Sequence, residues 1–352
     1  MNAAITRALP HAVTFAVAVC AGSLFAWLRT PIPWMLGPLA TVAALRMSGV
    51  ELRVPRGTRQ LGQWVIGTAL GLYFTPAVVR HVAHAWYLPV GGALFAIAIG
   101  YASGAVLARV ARLDLTTALF CSVPGGAAEM ATVGDRFGAR ADRVAASHSL
   151  RILMVVAIVP ALFALSGVHG SDSYAMGTAV FDARGFALLM AATLAGGFVA
   201  QRFDVPNAFV LGPLAVAVPL TAFEVSLSSV PTVVSNAAQL ILGCALGSRF
   251  ERDFLRGAPR FVAGVVVSVL FSIALAAAFG FVLALASGQK AATVILALAP
   301  GGIAEMAITA KVLQLGVPIV TASHVLRLVV LLLFTAPVFV RARSMRRARL
   351  RR

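Results

Sequence analysis

A short passage occurs twice in this chain and constrains its fold more than any other feature. PGGAAEM at 124–130 is followed by SHSLR at 147–151, and PGGIAEM at 300–306 is followed by SHVLR at 323–327. Each copy sets a helix-breaking Pro-Gly-Gly and a glutamate among apolar residues, then a histidine and an arginine three residues apart. Ionisable groups inside long apolar segments are costly and usually face a cavity or a partner. The duplicated passage is therefore the best pointer to function.

The surroundings of both copies are those of a membrane protein. Hydrophobic residues make up 60% of the chain, charged residues 12%, and the mean hydropathy is +0.92, outside the range of soluble domains. Apolar runs of about 17 to 26 residues match the thickness of a hydrocarbon core. We therefore predict an all-α integral membrane protein. The predicted segments are 10–27, 31–47, 60–78, 86–108, 115–132 and 145–167, then 185–201, 206–222, 234–249, 261–286, 291–310 and 319–340.

The two copies belong to a repeat that covers the chain. An offset of 176 residues carries Pro124 onto Pro300. It also carries QxxxGxALG at 63–71 onto 239–247, and LGPL at 36–39 matches LGPL at 211–214 with a one-residue gap. The GxxxG spacing in QxxxGxALG is typical of closely packed helices. We predict a first membrane repeat at 1–170, a second at 171–340 and a basic cytoplasmic tail at 341–352.

Charge bias predicts the direction of the halves. Because proline removes a backbone donor and glycine weakens a helix, segments 115–132 and 291–310 either unwind or turn back as re-entrant hairpins. If they turn back, each half has about five transmembrane helices and the halves are inverted. That arrangement puts 22 of the 29 Lys and Arg residues on the cytoplasmic side, including loop 249–260 and the tail, as positive-inside bias requires. The predicted fold is an inverted repeat with both termini cytoplasmic, typical of secondary transporters.

The two Pro-Gly-Gly turns are the first site candidates. Such a turn exposes backbone N–H and C=O groups, and the half-helix that follows directs a partial positive charge ahead of its N-terminus. Two turns meeting from opposite faces would form a pocket for an anion or a hydrated ion. The alternative interpretation is an inert, tightly packed kink. The residues concerned are Pro124, Gly125, Gly126, Pro300, Gly301 and Gly302.

The second site candidates are the two glutamates and the histidines and arginines of SHxLR. Glu129 and Glu305 are candidates to coordinate Na+ or to carry a coupling proton, unless they form structural ion pairs such as Glu129 with Arg151. The arginine forks suit a carboxylate or phosphate, so we expect an anionic substrate. The histidines either titrate near neutral pH or hydrogen-bond the hairpin, and no metal site is expected. The residues concerned are His148, Arg151, His324 and Arg327.

The paired PGGxAEM and SHxLR motifs, with LGPL and QxxxGxALG upstream in both halves, resemble the AbrB-type family of bacterial inner-membrane proteins. The resemblance covers essentially the whole chain. It implies a multi-pass protein of the inner membrane. Members are commonly labelled regulators of gene expression or, by name transfer, ammonia monooxygenase. The family is distinct from the small soluble DNA-binding regulator of the same name.

We expect a secondary transporter of a small, anionic solute, with its site at the two motifs. The alternative is a membrane-embedded regulator of gene expression that acts through ligand or partner binding. An enzyme is not expected, because ammonia oxidation needs copper or iron and the six scattered histidines form no convincing ligand set. The expected partners are the lipid bilayer, the solute and a second copy in a homodimer. Nucleic acid is not expected, because a basic tail after a membrane helix typically contacts anionic headgroups.

Overall fold

The computed structural model describes residues 3–168, 170, 180–250 and 258–350, with the side chains of 3–10, 128, 332 and 335–350 excepted. The start of the second predicted repeat at 171, Arg252 and Arg256 of the predicted cytoplasmic loop, and Arg351 and Arg352 of the tail lie outside the described residues. Within the described ranges the chain is all-helical, without a β-strand.

The described helices divide between the two predicted halves of the chain. The first half contains α1 (Ala3–Trp27), α2 (Pro33–Met47), α3 (Thr58–Gly71), α4 (Pro76–His84), α5 (Tyr87–Ala111), α6 (Leu115–Ser122), α7 (Ala127–Arg136) and α8 (Ala141–Leu165). The second contains α9 (Ala183–Arg202), α10 (Ala208–Ala222), α11 (Thr232–Gly247), α12 (Pro259–Ser287), α13 (Ala291–Leu298), α14 (Ile303–Leu313) and α15 (Val317–Leu350).

Several of these helices have the length and composition of membrane spans. In the described part of the chain, four are long and apolar enough to cross a bilayer alone, namely α5, α8, α9 and α12. The bent pair α3 and α4 is a fifth candidate. Parts or all of α1, α10, α11 and α15 are apolar but shorter. The protein is therefore a multi-pass membrane protein.

The segment predicted at 60–78 is not a continuous helix, because it is bent between α3 and α4. Helix α3 ends at Gly71, and α4 begins at Pro76 with its axis turned by 90°. The residue before a proline disfavours helical backbone, and Thr75 instead caps α4 by accepting a hydrogen bond from Val78 N at 3.4 Å. The chain consequently bends where a continuous helix was expected.

The two upstream motifs of each half pack against those of the other half. A Cβ on Gly67 of α3 would lie 2.7 Å from Val210 O in α10, and a Cβ on Gly243 of α11 would lie 2.5 Å from Met35 O in α2. Each GxxxG helix therefore lies directly against the LGPL helix of the opposite half. The close packing predicted from the GxxxG spacing is confirmed.

Helices α5 and α12, which occupy equivalent positions in the predicted repeat, run antiparallel to each other. Phe95 near the start of α5 stacks on Phe279 near the end of α12, with ring centroids 3.9 Å apart. At the other end, the Arg260 side chain donates to Val110 O at 3.1 Å. Between them, the Ser268 hydroxyl donates to Ser103 O at 2.9 Å. These three contacts place the start of each of the two helices beside the end of the other.

Both Pro-Gly-Gly passages break a helix, and at each the chain turns back. Helices α6 and α7 form hairpin 1 (115–136), because Arg140 N, after α7, donates to Thr117 Oγ1 at the start of α6 at 3.0 Å. Helices α13 and α14 form hairpin 2 (291–313), where a Cβ on Gly316 would lie 2.8 Å from Thr293 Cγ2. In each hairpin the chain therefore ends close to where it began, with the Pro-Gly-Gly at the far tip.

Candidate functional site

The tips of the two hairpins meet at a small cavity of about 50 Å³, here called the tip cavity. Nine of the twelve predicted site residues line it. They are Pro124, Gly125, Gly126 and Arg151 from the first half, with Gly301, Gly302, Glu305, His324 and Arg327 from the second. The sequence-predicted residues, 176 positions apart in the chain, are therefore brought together in space.

The other three predicted residues lie nearby. Glu129 lines a larger cavity, described below. Pro300 lines an apolar cavity of about 330 Å³ behind the tip of hairpin 2, together with Val159 and Ile273. His148 is fully buried and accepts a hydrogen bond from Arg151, which lines the tip cavity.

The larger cavity, here called the vestibule, has a volume of about 580 Å³. Its outer wall includes the exposed residues Gln60, Gln201 and Asp204, so it reaches the surface. Arg59, Gln63, Ala127 and Asn207 line both the vestibule and the tip cavity. These four residues form the boundary between the two spaces, and a solute entering by the vestibule would pass them before reaching the tips.

Arg151 holds the tip of hairpin 1. Helix α6 ends just before the tip, so its last carbonyls have no partner within the helix. Arg151 Nη1 donates to Val123 O at 3.1 Å, and Nη2 donates to Gly125 O at 3.2 Å. The arginine fork therefore satisfies buried backbone carbonyls, a role for which its planar geometry is well suited.

Arg327 does the same for hairpin 2 with shorter bonds. Its Nη1 donates to Ala299 O at 2.6 Å and its Nη2 to Gly301 O at 2.5 Å. Arg327 and Arg151 are close enough to repel each other electrostatically. Among the described residues, neither arginine forms an ion pair with a carboxylate. Two buried positive charges therefore face one cavity without an acidic partner in contact.

The two histidines hydrogen-bond the hairpins, as one of the two interpretations predicted. His148 Nε2 donates to Phe120 O at 2.9 Å, and its Nδ1 accepts from Arg151 Nη2 at 3.1 Å. This pattern assigns the neutral Nε2–H tautomer. His324 Nε2 donates to Leu296 O at 3.1 Å. Its Nδ1 is buried without a partner among the described residues.

The glutamates occupy the third position of the half-helices that leave the tips. Glu129 follows the N-terminal cap Gly126, and Glu305 follows Gly302. Each carboxylate folds back over its own cap glycine, where a Cβ would collide with the carboxylate oxygen. A negative charge is stabilised at a helix N-terminus. The alternative pair Glu129 with Arg151 is not formed, because no ion pair of Glu129 occurs within the described ranges.

The two glutamates differ in burial. Glu305 lines the tip cavity and is 5% exposed. Glu129 lines the open vestibule and is only partly buried. Identical motifs thus occupy different environments.

Three residues at the boundary were not among the predicted site residues. Arg59 Nη2 and Gln63 Nε2 both donate to Asn207 Oδ1, each at 3.4 Å. Asn207 has left-handed backbone (φ 50°) at the start of α10, a conformation that asparagine tolerates well. Gln63 belongs to the repeated QxxxG motif, which was a usable signal. Arg59 and Asn207 are 148 residues apart, and no local pattern links them.

Arg249 adds a further positive charge to the vestibule. It lies two residues past the end of α11 and lines the vestibule wall. It is close enough to Arg59 to be repelled and to Glu305 to be attracted. The vestibule and tip cavity together therefore hold four arginines, at 59, 151, 249 and 327.

Comparison with known proteins identifies two relatives and a family. The chain is 25% identical to the "Uncharacterized protein YhjN" of Bacillus subtilis (strain 168), over 92% of this chain and 91% of the relative. It is also 25% identical to the "Putative regulator AbrB" of Escherichia coli (strain K12), over 90% of this chain and 91% of the relative. A family model described as "Transition state regulatory protein AbrB" matches residues 34–343. This match includes both hairpins and all twelve predicted site residues, and the chain belongs to the AbrB family.

Proposed function

We propose that the two halves form an inverted repeat of ten transmembrane helices and two re-entrant hairpins, with both termini on the cytoplasmic side of a bacterial inner membrane. The antiparallel packing of α5 on α12 supports opposite directions for the halves. The vestibule contains Arg59 and Arg249, both from loops or helix ends that the positive-inside bias assigns to the cytoplasm. The vestibule would then open to the cytoplasm.

Within this frame, the protein is proposed to be a secondary transporter of a small anionic solute, without catalytic activity. The observation that carries the proposal is the pair Arg151 and Arg327, one from each half, at a single cavity between the hairpin tips. Their charges have no carboxylate in contact among the described residues. A buried charge without a partner is costly, and a bound anion would offset that cost.

The remaining donors of the guanidinium groups are available for such an anion. An arginine has five N–H donors, and the two bonds of Arg327 to backbone carbonyls use two of them. The bonds to the carbonyls also hold the forks in place, so that little side-chain entropy would be lost when the solute binds. A carboxylate is the chemical group that we expect to bind here.

Glu305 is the proposed site of coupling to Na+ or H+. It lines the same cavity as the arginines, so cation binding at its carboxylate would change the field felt by an anion. Glu129 occupies the equivalent position in the vestibule. It would take over this role when the tip cavity opens to the opposite face of the membrane.

A ligand screen followed by uptake measurements tests the proposal. The purified protein in detergent is screened by thermal shift against Na+, pH steps, succinate, citrate and glutamate. A ligand at a hundredfold its Kd adds about 2.7 kcal/mol of stability. Ligands that stabilise the protein are then offered to proteoliposomes. We expect uptake by the parent and by Glu51→Gln, whose carboxylate is exposed in a loop, and loss of ion-coupled uptake in Glu305→Gln. Failure of every carboxylate to bind and to enter would overturn the proposal.

The alternative function is a membrane-embedded regulator, which the names of the family and of the Escherichia coli relative favour. In this case the solute would bind without being moved, and the basic segment 341–352 would contact a partner. Removing residues 341–352 separates the two functions. A transporter retains uptake after the truncation, whereas a regulator loses its effect on gene expression with ligand binding intact.

A further inference from the structure

The vestibule has an internal counterpart that is closed. The repeat offset carries Arg59 onto Ser235, Ala145 onto Thr321 and Glu129 onto Glu305. The first-half members of these pairs line the vestibule and are partly exposed. Their second-half counterparts are 2%, 1% and 5% exposed. The vestibule also contains the second-half residue Arg249, and its first-half counterpart Tyr73 is only 7% exposed.

Polar atoms without hydrogen-bond partners occur on this closed side. Within the described ranges, the hydroxyls of Ser235, Thr321 and Ser323 and the Nδ1 of His324 are buried and unpartnered. Buried polar groups are nearly always hydrogen-bonded, and each exception is destabilising. All four atoms belong to the second half, and their lack of partners requires a physical explanation.

The first-half counterparts of these residues are satisfied or lie at the open cavity. Ser147, the counterpart of Ser323, donates to Cys121 O at 3.1 Å. Nδ1 of His148, the counterpart of His324, accepts from Arg151. Within the described ranges the first half also has buried polar atoms without partners, such as Arg151 Nε. At the serine and the histidine of the motif, however, only the second-half atoms lack a partner.

The closure involves the short helix α4. This helix packs against α15 and α10, with Val78 2% exposed and the preceding Tyr73 and Phe74 7% and 8% exposed. In the same half, Ile32 is fully buried at the position equivalent to the boundary residue Asn207, and has the same left-handed backbone, with φ 44° against 50°. Apolar side chains thus occupy positions that are polar at the vestibule.

We propose that Ser235, Thr321, Ser323 and His324 line a second access route to the tip cavity, which is closed in this conformation and opens on the opposite face when the vestibule closes. This inference rests on the inverted repeat of the proposed function. His324 and Glu305 already line the tip cavity, so the two routes converge on the same arginines. Opening would hydrate the unpartnered hydroxyls and remove their cost, which biases the protein toward a second state.

Cysteine accessibility tests the second route with a matched pair of variants. Ala145→Cys and Thr321→Cys are made in a Cys20→Ser background, because Cys20 is exposed. Cys121 and Cys244 are buried and are kept. A membrane-impermeant methanethiosulfonate reagent is added to one face of sealed vesicles at a time. Ala145→Cys should react from the vestibule face. Thr321→Cys should react only from the opposite face, at least about tenfold more slowly, because a minor state is typically populated at 10% or less.

Three further measurements make the result decisive. Ala118→Cys, at a fully buried position in α6, should react from neither face. In the double variant, prior labelling at Thr321→Cys should slow labelling at Ala145→Cys. Ser235→Cys replaces Thr321→Cys if the latter does not elute as a single folded species. Reaction of Thr321→Cys from the vestibule face, or of both second-half variants from neither face, would overturn the inference.

The outcome is independent of the uptake experiment. Labelling from opposite faces without uptake of any carboxylate would contradict the proposed solute but retain the route. Uptake together with unreactive second-half cysteines would contradict the route and retain the transporter.

Discussion

Replacing Arg327 by alanine should loosen hairpin 2 and destabilise the whole protein. The side chain donates two charged hydrogen bonds, to Ala299 O and Gly301 O, and is 5% exposed. Hydrogen bonds of charged groups contribute about 1.5–3 kcal/mol each. Interhelical hydrogen bonds measured in membranes are weaker, with an average of about 0.6 kcal/mol. Because both carbonyls would be left buried and unpaired, we expect a loss of roughly 3 kcal/mol.

The loss can be followed by thermal unfolding in detergent at a fixed scan rate, since membrane proteins often unfold irreversibly. For a chain of 352 residues, about 3 kcal/mol corresponds to a fall in apparent Tm of roughly 4 °C. Arg327→Lys keeps the charge but not the fork, and should lie between the alanine variant and the parent. Arg151→Ala should lose less, because its bonds are longer, at 3.1 and 3.2 Å.

The control is Arg202→Ala, which removes an exposed arginine at the end of α9 and should leave the Tm unchanged. An Arg327→Ala protein that melts within about 1 °C of the parent would refute the role of Arg327 in holding the tip. Equal losses for Arg327→Ala and Arg202→Ala would do the same.

Two further predictions concern packing and charge. Gly243→Ala should destabilise the protein by about 1–3 kcal/mol through overpacking, because its Cβ would lie 2.5 Å from Met35 O. Gly91→Ala, with nothing within 4 Å, should be neutral or stabilising, and equal melting temperatures for the two would contradict the close packing. Arg59→Gln should weaken binding of an anion found in the ligand screen by about fivefold at low salt, equivalent to about 1 kcal/mol, and by less at 0.5 M NaCl. Arg56→Gln, an exposed loop substitution, serves as its control, and an identical Kd for both variants would argue against Arg59 as part of the path.

Local sequence chemistry was enough to predict the hairpin tips. A proline followed by two glycines strongly disfavours a continuous helix, so the breaks at 123–126 and 299–302 follow from the sequence alone. Single prolines such as Pro38 and Pro160 lie inside helices. The break at 72–75 was missed, because a single Pro76 after an apolar run is a weaker signal than Pro-Gly-Gly. The close approach at GxxxG was also predictable, but not that each GxxxG helix would meet the LGPL helix of the other half.

The role of the arginines was only partly predictable. A buried guanidinium group needs hydrogen-bond acceptors, and from the sequence we expected these to be the glutamates or an anionic solute. The structure adds the tip carbonyls, such as Gly301 O, which become available only because the half-helix ends at the level of Arg327. Arg59 and Asn207, at the boundary of the two cavities, come from opposite halves and have no signal in the local sequence.

The duplicated motif shows what each level decides. The sequence by itself determined that both copies break, cap a half-helix with glycine and place a glutamate at its third position, because these are local preferences shared by identical residues. Only the tertiary structure decided that Glu129 faces an open vestibule while Glu305 is 5% exposed. Because both copies share the residues that set these local preferences, the difference in burial of the two glutamates comes from the residues and helices packed around them.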